Sequence, residues 1–374
     1  MQHKPYKVII SGGGTGGHIY PAIAIANALL EKDSNTELLF VGAKDRMEMQ
    51  KVPAAGFKIE GLWISGIQRR LTIDNLMFPV KVVSSVFKAK SILKQFDADI
   101  AIGVGGYASW PLLYAANISG IPTLIQEQNS YAGVTNKFLA KKAKKICVAY
   151  PDMGKFFPAA KVQLTGNPVR KDILEVASKR DEAFRFFGLD PNKKTILAIG
   201  GSLGARTINE SIAGGIEIFA KDDVQLVWQT GKGYYEKAKI VAEPYASHVK
   251  VFDFISAMNL AYALADVVIS RAGALSISEL CLVKKPAVLV PSPNVAEDHQ
   301  TKNAMALVNR EAAGIIKDSE ARTTLIAEAL NLLKDIDRQE KYKRNIASLA
   351  KPDAAKEIAE VVIQTIEQNR TSKK

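Results

Sequence analysis

Ser11-Gly12-Gly13-Gly14-Thr15-Gly16-Gly17-His18 follows the apolar run Val8-Ile9-Ile10 and leads into a helical pattern over residues 19–30. The stretch reads as a strand, a glycine loop and a helix start, which together make an anion site. Glycines let backbone N–H groups approach a phosphate, and the helix start adds unpaired donors and the positive end of a dipole. A tight turn in a sheet that binds nothing is the plain alternative, since a glycine loop alone is a weak signal. Five glycines among positions 12–17 cost more backbone entropy than a turn requires, and His18 stands where the loop becomes helix. Gly12, Gly14 and Gly17 satisfy G-x-G-x-x-G, but the first acid after the second strand, Asp45, comes well beyond the roughly 20-residue spacing of a ribose ligand. A nicotinamide oxidoreductase is therefore the weaker reading.

Outward from this loop, short apolar runs alternate with helical patterns. Strands are expected at 7–11, 37–41, 58–60, 100–103, 123–126, 145–147 and 162–164, a rhythm that builds a parallel, doubly wound sheet. A second glycine turn, Gly103-Val104-Gly105-Gly106-Tyr107, again stands between strand and helix and should line the same carboxyl-end crevice. Asn129, with Tyr131-Ala132-Gly133 behind it, follows the next strand. The rhythm pauses at Gly166-Asn167-Pro168-Val169-Arg170 and restarts, with strands at 195–199, 225–228, 250–252, 267–270 and 287–290. The fold class is α/β: two Rossmann-like domains facing across a cleft, residues 1–167 and 168–351, with a terminal helix at 352–368 expected to pack back on the first. A length of 374 residues suits two such cores.

Composition narrows the chemistry. With 47% hydrophobic and 24% charged residues the chain is an ordinary globular protein, so disorder is excluded. Cys147 and Cys281 sit in apolar runs and read as buried free thiols in a reducing compartment. No metal spacing, signal peptide or bilayer-spanning run is present, so a cytoplasmic location is expected. The formal charge of +12 admits nucleic acid, an anionic membrane surface or phosphorylated substrates. Nucleic acid is disfavoured because only 7% of residues are aromatic and they are not grouped with the basic ones.

Residues 63–96 interleave Leu71, Ile73, Leu76, Met77, Phe78, Val80, Val82, Val83, Val86 and Phe87 with Arg69, Arg70, Lys81, Lys88, Lys90 and Lys94, against the single acid Asp74. Such a segment suits a membrane interface, and equally a core helix with a basic rim. A third glycine loop, Gly200-Gly201-Ser202-Leu203-Gly204-Ala205-Arg206, and a fourth junction, Ser270-Arg271-Ala272-Gly273-Ala274, each open a helix in the second half. Glu279 reads as a ribose ligand or as an ordinary first-turns acid. The cluster Glu297-Asp298-His299-Gln300 reads as a sugar contact or a helix cap.

Together these motifs resemble the MurG family, bacterial membrane-associated transferases that add N-acetylglucosamine to the lipid-linked muramyl pentapeptide of peptidoglycan. The resemblance covers Gly14-Thr15-Gly16-Gly17-His18, Gly103 to Tyr107, Asn129 with Ala132-Gly133, Gly166 to Arg170, Gly200 to Arg206, Ser270 to Ala274 and His299-Gln300 in order, without departure. It implies a B-type glycosyltransferase fold, no cofactor and no essential metal. It implies UDP-N-acetylglucosamine as donor, held mainly by the second domain: Arg170 and Ile255 at the uracil, Glu279 at the ribose, Ser202 and the amides of Ala274, Leu275, Ser276, Ile277 and Ser278 at the diphosphate. Gln300, Asn129, Thr15, Gly16 and Gly17 would contact the sugar. Gly13, Gly14, Gly105, Gly106 and Tyr107 would receive the acceptor, an undecaprenyl-diphosphate-linked muramyl pentapeptide, at the cytoplasmic face of the cell membrane. Inversion by attack of the acceptor 4-hydroxyl calls for a base, and His18 is the candidate, equally read as a phosphate binder; Glu127 is a lesser one.

Overall fold

The structure is a computed structural model describing residues 4–66 and 77–372. It divides into two compact units, Met1–Arg170 with Asp353–Lys374, and Lys171–Pro352.

The first unit holds seven parallel strands: β1 (Lys7–Gly12), β2 (Glu37–Ala43), β3 (Ile59–Leu62), β4 (Ile100–Gly105), β5 (Thr123–Glu127), β6 (Lys145–Val148) and β7 (Val162–Leu164). Their order is β3-β2-β1-β4-β5-β6-β7. Strand order thus reverses between β1 and β4, the place where an α/β sheet opens a crevice at its carboxyl edge. The central strands are buried on both faces and read as continuous apolar runs for that reason.

Helix Gly16–Lys32 covers one face with Ile19, Ile25 and Leu29, and the C-terminal helix Ala354–Thr371 adds Ile358, Val362 and Ile366 to the same core. Arg370 anchors that terminal helix by a forked pair to Asp99, at 2.7 and 3.2 Å. On the opposite face, helix Phe78–Phe96 and helix Ser109–Ile118 bury Ala89, Leu93, Leu112 and Leu113.

The second unit repeats the plan with β8 (Thr195–Ile199), β9 (Gln225–Gln229), β10 (Val249–Phe252), β11 (Val267–Ser270), β12 (Ala287–Leu289) and β13 (Gly314–Ile315), all parallel in the order β10-β9-β8-β11-β12-β13. Its switch point lies between β8 and β11. β13 is not expected from sequence: two residues are too few to show a period. Cys147 and Cys281 are buried and free, as expected, and burial pushes both thiols up to about 12.

Candidate active site

The two glycine loops of the first unit meet at the β1/β4 switch point. Gly13 donates its N–H to the Gly105 carbonyl at 3.2 Å. Gly106 has φ +92, and a Cβ there would lie 2.8 Å from the Gly13 carbonyl carbon, so only glycine permits this approach. The His18 ring rests on Gly105, where a Cβ would come within 2.5 Å of Cδ2. His18 Nδ1 is 3.0 Å from the Gly13 carbonyl. A carbonyl only accepts, so Nδ1 is the donor of this contact.

Beneath the loop lies a residue the sequence reading passes over. Glu48 is 1% exposed, and its carboxylate accepts the Gly14 N–H at 2.8 Å and the Ala43 N–H at 3.0 Å. It fills the space beside Gly13 and Gly42: a Cβ on Gly42 would lie 2.6 Å from its Cγ. The amides of Gly13 and Gly14 are thus engaged within the protein. Gly13 and Gly14 thereby fix the shape of the loop that leads into the helix start at Thr15, Gly16 and Gly17. Asp45, weighed above as a ribose acid, sits exposed in a left-handed turn at φ +59.

Glu127 organises a second loop of this unit. Only 2% exposed, it accepts from Asn129 N–H (3.1 Å), Asn129 Nδ2 (3.3 Å), Gly133 N–H (3.2 Å) and Asn136 Nδ2 (2.8 Å). Four donors meet its carboxylate and hold the loop that carries Asn129. Asn167 locks the same loop from behind, accepting from Gln126 and donating to the Gln128 carbonyl. Arg170 closes this unit.

In the second unit the third and fourth loops follow β8 and β11, neighbours at the switch point. Ser202 is exposed on the loop before helix Arg206–Gly214. Gly201 offers its carbonyl to Gln229 Nε2 at 3.1 Å, while Gln229 Oε1 accepts the Ile255 N–H at 2.8 Å. Gln229, 3% exposed, therefore clamps the glycine loop to the segment carrying Ile255, another link unseen in the sequence. Ile255 itself is 3% exposed, so its backbone rather than its side chain is what a ligand would meet.

Helix Ala274–Val283 starts at Gly273 with no side-chain cap. The Ile277 N–H is already bonded to the Gly273 carbonyl at 3.0 Å, and Ser278 stands one residue deeper in the helix. Of the expected amide set, those of Leu275 and Ser276 belong to the first turn, where helix geometry provides no intrahelical acceptor. Glu279 lies a further turn in, oriented by a 3.0 Å hydrogen bond from the buried Tyr262 hydroxyl. The last cluster is held by short-range hydrogen bonds. Asp298 accepts from Thr301 Oγ1 at 2.7 Å but caps no backbone N–H of helix His299–Val308, and Gln300 Oε1 accepts the Ser292 N–H at 2.9 Å, holding Gln300 against the segment after β12.

Helix Phe78–Phe96 has a packed face and an exposed one. Phe78, Val82 and Val86 pack inward, whereas Val80, Val83 and Phe87 stand 51%, 55% and 70% exposed on one stripe, beside Trp63 at 44%. Leu71, Ile73, Leu76, Arg69, Arg70 and Asp74 lie outside the described residues. Among the described residues no helix is long and apolar enough to cross a membrane.

Comparison with known proteins bears on these two glycine-lined switch points. The glycosyltransferase family 28 N-terminal domain matches residues 8–148 and the family's C-terminal domain matches residues 195–358. The crystal structure of MurG from Acinetobacter baumannii superposes with a TM-score of 0.75 at 29% identity, covering 96% of this chain and 100% of that one. A UDP-N-acetylglucosamine--N-acetylmuramyl-(pentapeptide) pyrophosphoryl-undecaprenol N-acetylglucosamine transferase from Cytophaga hutchinsonii is 59% identical over 369 residues, 99% of each chain. The chain belongs to the MurG family of glycosyltransferases. A MurG-family relative of the same name from Parabacteroides distasonis is 56% identical over 97% of this chain and 99% of its own. The two units thus carry the N- and C-terminal domains of this family's B-type fold. Within it, Glu48, Gln229 and Tyr262 are the site-shaping residues that motif reading misses. Each acts through a partner 17 to 34 positions away, beyond the reach of a local pattern.

Proposed function

We propose that this chain transfers N-acetylglucosamine from UDP-N-acetylglucosamine to the 4-hydroxyl of the N-acetylmuramyl-pentapeptide of undecaprenyl-diphosphate-linked lipid, a step of peptidoglycan synthesis. The 59% identity to a transferase of that name, running through 99% of both chains, carries the reading. The site chemistry supports it. A departing UDP is stabilised by fixed donors that need no reorganisation: the first-turn amides of helix Ala274–Val283 and the Ser202 hydroxyl. Glu279, held by Tyr262, accepts from the ribose hydroxyls; the Ile255 backbone and Arg170 serve the uracil; Gln300 and Asn129 hold the sugar. The acceptor's diphosphate rests at the glycine loops of the first unit, where Gly105 lies against His18, Gly106 against Gly13 and Tyr107 near Gly14.

His18, with its proton on Nδ1, presents Nε2 as the group that takes the proton of the attacking 4-hydroxyl while the bond from sugar to UDP breaks, inverting the anomeric carbon. The exposed stripe Val80, Val83 and Phe87, flanked by lysines, rests on an anionic membrane surface, which makes the protein peripheral at the cytoplasmic face. The test is transfer of labelled N-acetylglucosamine to a short-chain analogue of the lipid-linked muramyl peptide, with a chelator present. Transfer is expected in the parent and is expected to fall by several orders of magnitude in His18→Gln. UDP binding without transfer to this acceptor would move the acceptor to another molecule.

A further inference from the structure

We propose that a basic pocket beside Tyr107 is a subsite for the carboxylates of the acceptor's peptide, an inference that rests on the transferase reading above. The loop Lys44-Asp45-Arg46 after β2 and the segment Trp63-Ile64-Ser65 after β3 enclose a cavity of about 330 Å³, floored by Lys81. A second cavity, about 470 Å³, is lined by the same loop together with Met47, Met49 and Gln50. Among the described residues, three cations, Lys44, Arg46 and Lys81, line the first cavity with one acid, Asp45.

These charges are placed for an incoming anion. Among the described residues neither Lys44 nor Arg46 has a carboxylate within ion-pair distance, and both are exposed. Lys81 is 7% exposed, and its ammonium, 5.7 Å from the centre of the Trp63 ring, donates to Ser65 Oγ at 3.3 Å. An ammonium so enclosed acts at short range with little screening by water. Trp63, 44% exposed, supplies an apolar wall suited to small aliphatic side chains.

The pocket also adjoins the site. The Arg46 guanidinium carbon is 5.9 Å from the centre of the Tyr107 ring, and that ring borders Gly14 and Gly66. An acceptor diphosphate at the glycine loops would thus have this pocket within reach of its sugar's substituents. A linear peptide joined through its amino end to the muramyl group ends in a free carboxylate. The guanidinium fork of Arg46 matches a carboxylate in two parallel hydrogen bonds, and Lys44 and Lys81 add charge.

The experiment compares two soluble lipid-linked acceptor analogues, one with free peptide carboxylates and one with each carboxylate amidated, in the parent chain and in Arg46→Ala and Lys44→Ala. Both side chains are exposed, and an unchanged melting temperature verifies the fold. Loss of one charge-assisted contact should raise the acceptor KM roughly tenfold for the free-carboxylate analogue, with kcat and the donor KM nearly unmoved. The amidated analogue should bind parent and variants alike, with the KM of the variants on the free acid. Equal weakening toward both analogues would overturn the proposal, because the cations would then be meeting the diphosphate common to both. No weakening toward either would overturn it too. A parent chain that transfers to neither analogue would instead sink the transferase reading itself.

Discussion

Glu48 is the residue on which the first glycine loop is built, and its removal should have a measurable and specific signature. Its carboxylate takes two backbone N–H groups, from Gly14 at 2.8 Å and Ala43 at 3.0 Å, and it is 1% exposed. A hydrogen bond to a charged group contributes about 1.5 to 3 kcal/mol, so Glu48→Ala should cost about 3 to 5 kcal/mol once water partly refills the site. In urea, at a slope of about 2 to 3 kcal/mol/M, the unfolding midpoint of the first unit should fall by roughly 1 to 2.5 M. Gly13→Ala supplies the sharper test. Its new Cβ would run into the Glu48 carboxylate, which should cost about 1 to 3 kcal/mol by overpacking in the parent. In the Glu48→Ala background the obstacle is gone, and φ at Gly13 is not among the positive values that exclude alanine. The double variant should therefore be more stable than the sum of the single effects by at least about 1 kcal/mol, followed by tryptophan fluorescence. Additivity within about 0.5 kcal/mol would refute the claim that Gly13 is glycine because of Glu48.

Two further outcomes follow from buried groups. Gln229→Leu removes both the acceptor of the Ile255 N–H and the donor to the Gly201 carbonyl, so UDP affinity measured by calorimetry should fall at least roughly tenfold; unchanged affinity would show that the clamp does not set the donor loops. Lys285 is pulled down to about 8 by burial, then by Arg180, while it donates to the Ala265 carbonyl at 2.6 Å. Between pH 8 and 10.5 the unfolded chain keeps a proton on this lysine that the folded chain has released, so its contribution to stability rises with pH across that window. Urea midpoints measured through the window should therefore climb less, or fall more, in Lys285→Met than in the parent, by up to about 3 kcal/mol. Parallel pH profiles would contradict the assignment.

Much of the site was legible because its signals are local. A glycine that must hold φ near +92, as Gly106 does, or admit another backbone, as Gly204 does against Thr230, leaves a mark in the sequence at its own position. Strand-loop-helix junctions are likewise neighbours in the chain. The amide inventory was not legible. Gly13, Gly14 and Ile277 each look like phosphate donors in a motif, yet each N–H is engaged, two of them by groups far along the chain. Glu127 stands next to Asn129 and reads as a spare acid until its four donors are counted in space.

The sequence by itself determined the alternation of strand and helix, the glycine loops and the family to which the chain belongs, since each depends on residue type at short spacing. Only the tertiary structure decided which helix face of Phe78–Phe96 packs and which stripe stays exposed. It also decided that Glu48 and Gln229 brace the loops, and that Lys44, Arg46 and Lys81 gather around one cavity. The reason is physical: a hydrogen-bond partner or a shared cavity is set by which strands lie side by side, and the orders β3-β2-β1-β4 and β9-β8-β11 join segments that the chain itself keeps far apart.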